Sequence, residues 1–339
     1  MKSYKVGILG FGNVSRAIVS HYLFVADKIL KDYGFKLEFS AICDSNSFVY
    51  ANNLNIIRLI RKKEKKQNIS GATVNPLKSF GDIVKNKKID MLIDGLPSSK
   101  INEGPSFPLL IEALKRNISV VCVNKSPLVF KGAELFKLAQ KYNTRIGISG
   151  TTAGALPTSG IVMNELVGGE ITEVRGIVNG TSNYVLDSIM FDGLSMDTAI
   201  RNAIKRGIAE PDYRFDLDGT DTCFKMIILG LIITGKSIKP KDVLCQGILP
   251  LSLREIKAVV KQNKVFRLIG NLSIKNNTPK ISVAPEILDE KDPLYFVRGT
   301  GKGITFKTKY LGELTVYLNA ASRTTIAATI LKDIINIAK

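Results

Sequence analysis

The sequence predicts an α/β protein whose parallel sheet is joined to an α+β domain carrying a second, mostly antiparallel sheet. Three observations predict this. Apolar runs of strand length alternate with helical stretches from the start to about residue 150, the pattern of a parallel sheet built from crossover units. The first run ends in a glycine-rich turn that opens a helix. After Asn271 the chain turns to short strands separated by turn residues. The parallel part is therefore Rossmann-like.

Residues 4–11 (YKVGILGF) form the first strand, and a helix follows from about Val14 to Lys31. Residues 35–44 (FKLEFSAICD) are a second strand ending in Asp44, and a basic amphipathic helical region runs to about Lys66. Then come the strand IDMLIDGLPSS, the helix PLLIEALKRN, the strand ISVVCVNKSP, the helix AELFKLAQKYN and the strand TRIGISG. From Thr151 a loop of small residues, GTTAGALPTSG, leads to a helix. GEITEVRGIVNGTSNYVLDSI reads as strand, tight turn and helix, and MDTAIRNAIKRGI and TDTCFKMIILGLIITG as helices. The strands LSIKNN, KISVAPEIL, YFVRGTGKGITFKT and ELTVYL complete the second sheet, and a helix from about Arg323 to Ala338 closes the chain. Residues 1–150, completed by the helix at 320–339, are expected to form a dinucleotide-binding domain, and 151–319 a catalytic and dimerisation domain.

Composition narrows the chemistry. Of 339 residues, 45% are hydrophobic and 23% charged, which are globular values. The opening residues run straight into a strand, so no signal peptide is expected, and no apolar run reaches the roughly 18 residues of a membrane span. Cys43, Cys122, Cys223 and Cys245 form no CxxC pair, so reduced, buried thiols in a cytoplasmic protein are expected. His21 is the one histidine, which excludes a multi-histidine metal site. It falls in the first helix, so proton transfer belongs to Lys, Asp, Glu, Tyr or water. The formal charge is +18, from 48 Lys+Arg against 30 Asp+Glu. The densest basic run, Arg58 to Gln67, lacks interleaved aromatics and reads as a solvated helix face. Neither nucleic acid nor membrane is expected as a partner, while anionic small ligands suit the charge.

GFGNVSRA places Gly10, Gly12 and Ser15 where a dinucleotide fingerprint has GxGxxG. The first glycine permits the tight turn. The second lets backbone approach a pyrophosphate at a helix N-terminus, and the third position needs only a small residue. Asp44, at the end of the second strand, can accept the ribose hydroxyls of NAD and would repel a 2′-phosphate, which argues for NAD over NADP, a preference that nearby lysines and Arg58 could reverse. The plain alternatives are an ordinary glycine-rich turn and a turn aspartate.

Between Glu210 and Asp221 lie the acids Asp212, Asp216 and Asp218, in an otherwise basic chain. Asp221 and Lys225 share a helix face, and Asp218 or Thr220 would cap that helix. Such a cluster can hold an amino acid's ammonium while the lysine handles a proton at the reacting oxygen. It can equally be an acidic surface loop with one ion pair. Lys125 follows a Rossmann strand at the edge of the sheet where ligands sit, and could also be a surface lysine.

Together these segments resemble homoserine dehydrogenase, over essentially the whole chain. The most specific part is a pattern like G-x-x-E-x-D-P-x-x-D-x-x-G-x-D-x-x-x-K, matched by Gly207, Glu210, Asp212, Asp216, Gly219, Asp221 and Lys225. RGIVNGTSNYVL resembles the family's G-I-x-N-G-T-x-N-Y-I-L through Asn179, Gly180, Thr181, Asn183 and Tyr184, and VNKSPL supplies Lys125. DPLYFVRG, from Asp292, resembles the stretch after which the dimerisation sheet continues.

The resemblance implies NAD(P)-linked interconversion of L-homoserine and L-aspartate 4-semialdehyde, in threonine, methionine and isoleucine biosynthesis. It makes Lys225 the proton donor and acceptor, with Lys125 its partner at the reacting oxygen and Asp216 in support. Glu210 and Asp221 would hold the substrate, and Thr181 would line the pocket. Gly10, Phe11, Gly12, Asn13, Val14, Asp44, Leu96, Lys125, Gly207 and Ser322 would contact NAD or NADP. It further implies a sodium site of backbone carbonyls at Ser149, Thr152, Gly154 and Leu156, and a homodimer.

The chain departs from the pattern in several places. Ser149 stands where many relatives carry Glu, Tyr213 where Pro is usual, Ile208 where many have Tyr, and Leu96 where Thr or Ser is usual. Ser322, in NAASRTT, stands where a glycine-rich cofactor segment is expected, with bulky Arg323 beside it. No kinase or regulatory domain is expected. Other readings are a Rossmann dehydrogenase acting on another amino-acid aldehyde, a catalytically silent NAD-binding relative, or nucleic-acid binding by the basic surface.

Overall fold

The computed structural model describes residues 2–52 and 54–339. In chain order the elements begin with β1 (Lys2–Leu9), α1 (Asn13–Tyr33), β2 (Phe35–Cys43), β3 (Phe48–Tyr50), α2 (Ile56–Glu64), α3 (Pro76–Lys85), β4 (Met91–Asp94), α4 (Phe107–Lys115), β5 (Ser119–Cys122), α5 (Ser126–Lys141) and β6 (Ile146–Gly147). Then follow α6 (Thr158–Gly160), β7 (Ile171–Ile177), α7 (Gly180–Phe191), α8 (Met196–Lys205), α9 (Arg214–Leu217), α10 (Thr220–Thr234), β8 (Leu244–Cys245), α11 (Leu253–Val260), β9 (Val265–Lys275), β10 (Thr278–Leu288), β11 (Lys302–Thr308), β12 (Glu313–Leu318) and α12 (Arg323–Ala338). They form two compact units, Met1–Thr151 with Ser322–Lys339, and Thr152–Ala321.

The first unit is built on a six-stranded sheet of order β3-β2-β1-β4-β5-β6. All of its pairings are parallel except that of β3, which folds back antiparallel on β2. The central strands are buried on both faces, so they read as unbroken apolar runs. Val6, Ile8, Ile42, Ile93 and Val121 are fully buried. α12 returns to this unit and packs Ile330, Leu331 and Ile334 into the same core as Ile18 and Val19 of α1.

The second unit carries a sheet of order β12-β11-β7-β9-β10-β8, antiparallel except for the two-residue pairing of β8 with β10. α10 packs against Gly270 and Leu272 of β9 and Ile281 of β10. Alternation then points Asn271 to the other face. There its Nδ2 meets Glu286 at 2.6 Å, and Arg175 reaches Glu286 at 2.7 Å and Asp292 at 2.5 Å.

Several local expectations give way. TRIGISG supplies only the two residues of β6, because Ser149–Thr151 coil into a 3-10 turn. The expected strand at YFVR is also a 3-10 turn, started by Asp292 accepting the Leu294 N–H at 2.8 Å, and pairing begins at Lys302. α3 and α11 lie outside the expected elements, and each starts at a local capping signal: Asn75 before Pro76, and the Ser252–Glu255 capping box. Among the described residues, no helix is long and apolar enough to cross a membrane.

Candidate active site

In the first unit the glycine turn follows β1. Gly10 has φ +89°, and a Cβ there would stand 2.6 Å from the Gly95 carbonyl oxygen, so backbone closeness and handedness both demand glycine. Ser15, in the fingerprint's third small position, is buried and donates its hydroxyl to the Gly10 carbonyl at 2.6 Å. Gly12 is the N-cap of α1, and a Cβ there would meet nothing within 4 Å. The helix start has neither a side-chain cap nor an acid in its first turn. Its amide dipoles are therefore left for an anion, which fits the pyrophosphate of a dinucleotide. Phe11 is buried beneath the turn, Asn13 is exposed with its Oδ1 taken by Arg16, and Val14 is half-buried.

Asp44 lies beyond β2, half-buried, with Oδ1 accepting the Ser45 N–H at 2.6 Å and Oδ2 accepting Lys63 Nζ at 2.5 Å. Of the described basic residues near Asp44 in the sequence, Lys63 of α2 is the one that pairs with it. At the end of β4, Asp94 is fully buried and accepts Ser106 Oγ at 2.6 Å, Asn124 Nδ2 at 3.2 Å and the Leu96 N–H at 3.2 Å. Leu96 thus turns its amide onto Asp94. Burial pushes the Asp94 carboxyl up to about 6, against these hydrogen bonds. Asp94 went unremarked in the sequence, where it reads as the last residue of an apolar strand. Lys125 follows Asn124 as the N-cap of α5, half-buried, its N–H donating to Ser98 Oγ at 3.0 Å.

In the second unit the carboxylates gather around α10. Gly219, with φ +87°, is the N-cap of α10 and makes no side-chain cap, while Asp218 Oδ1, one residue earlier, accepts the Thr220 N–H at 2.9 Å. The helix is apolar all round, hence buried from Asp221 to Leu231, and it stops at left-handed Gly235. Asp221 and Lys225 are therefore both buried, and they pair directly. Lys225 Nζ also donates to the Val178 carbonyl at 2.8 Å.

Asn179 links this pair to Asp216. Its Nδ2 donates at 2.7 Å to Asp216 Oδ1 and at 2.7 Å to Asp221 Oδ2, while its Oδ1 caps α7 by accepting the Ser182 N–H at 2.9 Å. The neighbouring Gly180 is needed because a Cβ would come 2.9 Å from the Thr300 carbonyl oxygen. Burial, and then the charge of Asp221, hold the Asp216 carboxyl above the ordinary carboxylate range. Thr181 donates to the Ile208 carbonyl at 3.3 Å. Glu210 and Asp212 are exposed on the loop after α8, and Gly207 turns that loop with φ +68°. Asn179 was seen as part of a motif but not as the hub of the site. Its capping position before a helix was the available signal.

The remaining candidates fall elsewhere. Ser149 gives its N–H to Asp333 Oδ2 at 2.7 Å and its hydroxyl to Oδ1 at 2.7 Å. Thr152, Gly154 and Leu156 form a buried loop in the second unit. Ser322 is exposed and caps α12 in a reciprocal box with Thr325, which is the structural use of a residue standing where glycine was expected. Cys43, Cys122 and Cys223 are buried, but Cys245 is exposed, because β8 is a two-residue edge strand.

The family model for homoserine dehydrogenase matches residues 157–335. The chain is similar to an NAD(+)-dependent homoserine dehydrogenase of Pseudomonas canavaninivorans, with 30% identity over 99% of this chain and 97% of that protein. It is also similar to a homoserine dehydrogenase of Methanocaldococcus jannaschii, with 30% identity over 97% of each. Its fold is similar to that of a hyperthermophilic archaeal homoserine dehydrogenase in complex with NADPH. That match has a TM-score of 0.82 at 26% identity, covering 99% of this chain and 98% of the other.

Proposed function

The chain belongs to the homoserine dehydrogenase family, and from that premise we propose that Lys225 exchanges the proton while Glu210, Asp216 and Asp221 hold the amino acid. The reaction is the NAD(P)-linked interconversion of L-homoserine and L-aspartate 4-semialdehyde, a step of threonine, methionine and isoleucine biosynthesis. The observation that carries the assignment of roles is the buried Asp221–Lys225 pair, tied through Asn179 to Asp216.

Bound NAD(P) supplies the hydride carrier. In the reducing direction the aldehyde oxygen gains negative charge as hydride reaches C4, and the Lys225 ammonium gives it a proton. In the oxidising direction the neutral amine takes the hydroxyl proton. Val178 and Asp221 fix Lys225 Nζ, so the group is positioned before substrate arrives. The carboxylates attract and orient the substrate ammonium, with Glu210 exposed and Asp216 half-buried. Thr181 lines the same pocket, and Gly207 turns the loop that carries Glu210.

On the cofactor side, Gly10, Phe11, Gly12, Asn13 and Val14 cradle the pyrophosphate, Asp44 takes the ribose, and Leu96, Lys125 and Ser322 complete the contacts. Lys125 has a second role at the reacting oxygen. We assign a homodimer formed by the second sheet, supported by the half-buried polar face of Arg175, Asn271 and Glu286. Four free cysteines and use of the cellular NAD(P) pool support a cytoplasmic location. The test is appearance of reduced-nicotinamide absorbance on adding L-homoserine and NAD or NADP to the protein. Turnover with homoserine, and none with the deoxy analogue L-2-aminobutyrate, is expected. Silence with both cofactors would overturn the assignment.

A further inference from the structure

The loop that the family resemblance assigns to sodium already holds a lysine side chain. Lys302, the first residue of β11, is 6% exposed, and its Nζ donates to the Ala153 carbonyl at 2.9 Å. Ala153 is fully buried between Thr152 and Gly154, two of the residues whose carbonyls were expected to bind the ion. Leu156, the next expected donor, is 1% exposed.

We propose that the Lys302 ammonium takes the place of the monovalent metal ion at the 152–156 loop, so that folding and turnover need neither sodium nor potassium. An ammonium is a compact charge with three donors and suits a ring of carbonyls much as a small alkali ion does. A buried ammonium requires such partners. A second cation on neighbouring carbonyls would stand a few ångströms from it in a poorly solvated site, so the two exclude each other.

The donor set agrees. Hard cations favour sites with carboxylate oxygens, and Ser149 contributes none. Its N–H and hydroxyl are committed to Asp333. With Lys302 in place, the loop has no need of the expected sodium ion. The inference goes beyond the substrate reading and can be tested without substrate.

The experiment is thermal melting and turnover of the protein and of Lys302→Met in sodium, potassium, ammonium and choline chlorides at equal ionic strength. For the unaltered protein, melting and turnover are expected to agree within about twofold in rate across all four salts. Lys302→Met should melt lower in choline and recover by roughly 2–4 °C in sodium or ammonium. A saturable rise of melting temperature with sodium or potassium in the unaltered protein would overturn the proposal. So would a Lys302→Met protein indifferent to the cation, since Lys302 would then be only a tether. If that variant does not fold, Lys302→Gln, which keeps an N–H donor without the charge, is compared in the same salts with the same two readings.

Discussion

Asn179 Nδ2 lies 2.7 Å from Asp221 Oδ2, and the same amide nitrogen bonds Asp216. Two carboxylates are thereby bridged by one amide nitrogen. Replacing Asn179 by alanine removes this bridge and the α7 cap together. A lost cap costs about 1 kcal/mol, and carboxylates stripped of a donor add about 1–3 kcal/mol. The variant should unfold at lower denaturant, and kcat/KM for homoserine should fall about 10- to 100-fold as the cradle loses its geometry. Steady-state kinetics and urea titration on the same preparation check both.

Asp216 titrates above the ordinary carboxylate range because burial and the charge of Asp221 oppose its ionisation. Its folded pKa is raised, so its stabilising contribution is present below the unfolded value and lost as pH rises through the folded one. Ionisation is what attracts the substrate ammonium, so homoserine KM should fall as pH rises through that titration. Asp216→Asn should flatten this limb. A KM profile identical in the two proteins would remove Asp216 from substrate binding.

Asp94 offers a cleaner stability test. Its carboxyl titrates near 6 in the fold against 3.8 ordinarily, because it is buried. The charged form therefore costs the fold about 3 kcal/mol once pH exceeds the folded value, and nothing below the unfolded one. Asp94→Asn should gain stability relative to the unaltered protein between about pH 4 and about pH 7, measured as the difference in melting temperature at each pH. A difference constant with pH would mean that Asp94 does not titrate in this window.

The cofactor preference turns on Asp44, whose carboxylate meets Lys63 at 2.5 Å. Asp44→Ser removes the charge that opposes a 2′-phosphate and releases Lys63 toward it. The kcat/KM ratio of NADP to NAD should rise by about tenfold, roughly the value of one close charge contact. An unchanged ratio would place the ribose elsewhere.

Much of this molecule was legible in the sequence because the signals were local. Alternating apolar runs announced the first sheet, and Gly10 marked a turn that only glycine can make. The spacing from Asp221 to Lys225 gave a shared helix face, and the two side chains do pair. What stayed hidden depended on distant partners. Asp94 draws Ser106 and Asn124 from two other segments. Lys302 meets Ala153 across 149 residues of chain. Neither pairing leaves a periodic trace. The strand expected at YFVR failed because one capping aspartate, Asp292, outweighed the β propensity of the aromatics.

The central claim is that Lys225 moves the proton, and its most direct test is single-turnover reduction of L-aspartate 4-semialdehyde by the unaltered protein and by Lys225→Met, with NADH affinity measured in parallel. Removal of a general acid costs about 100- to 10,000-fold. The expected result is a loss of that size in the hydride step with NADH affinity unchanged. Equal rates in the two proteins would contradict the assignment.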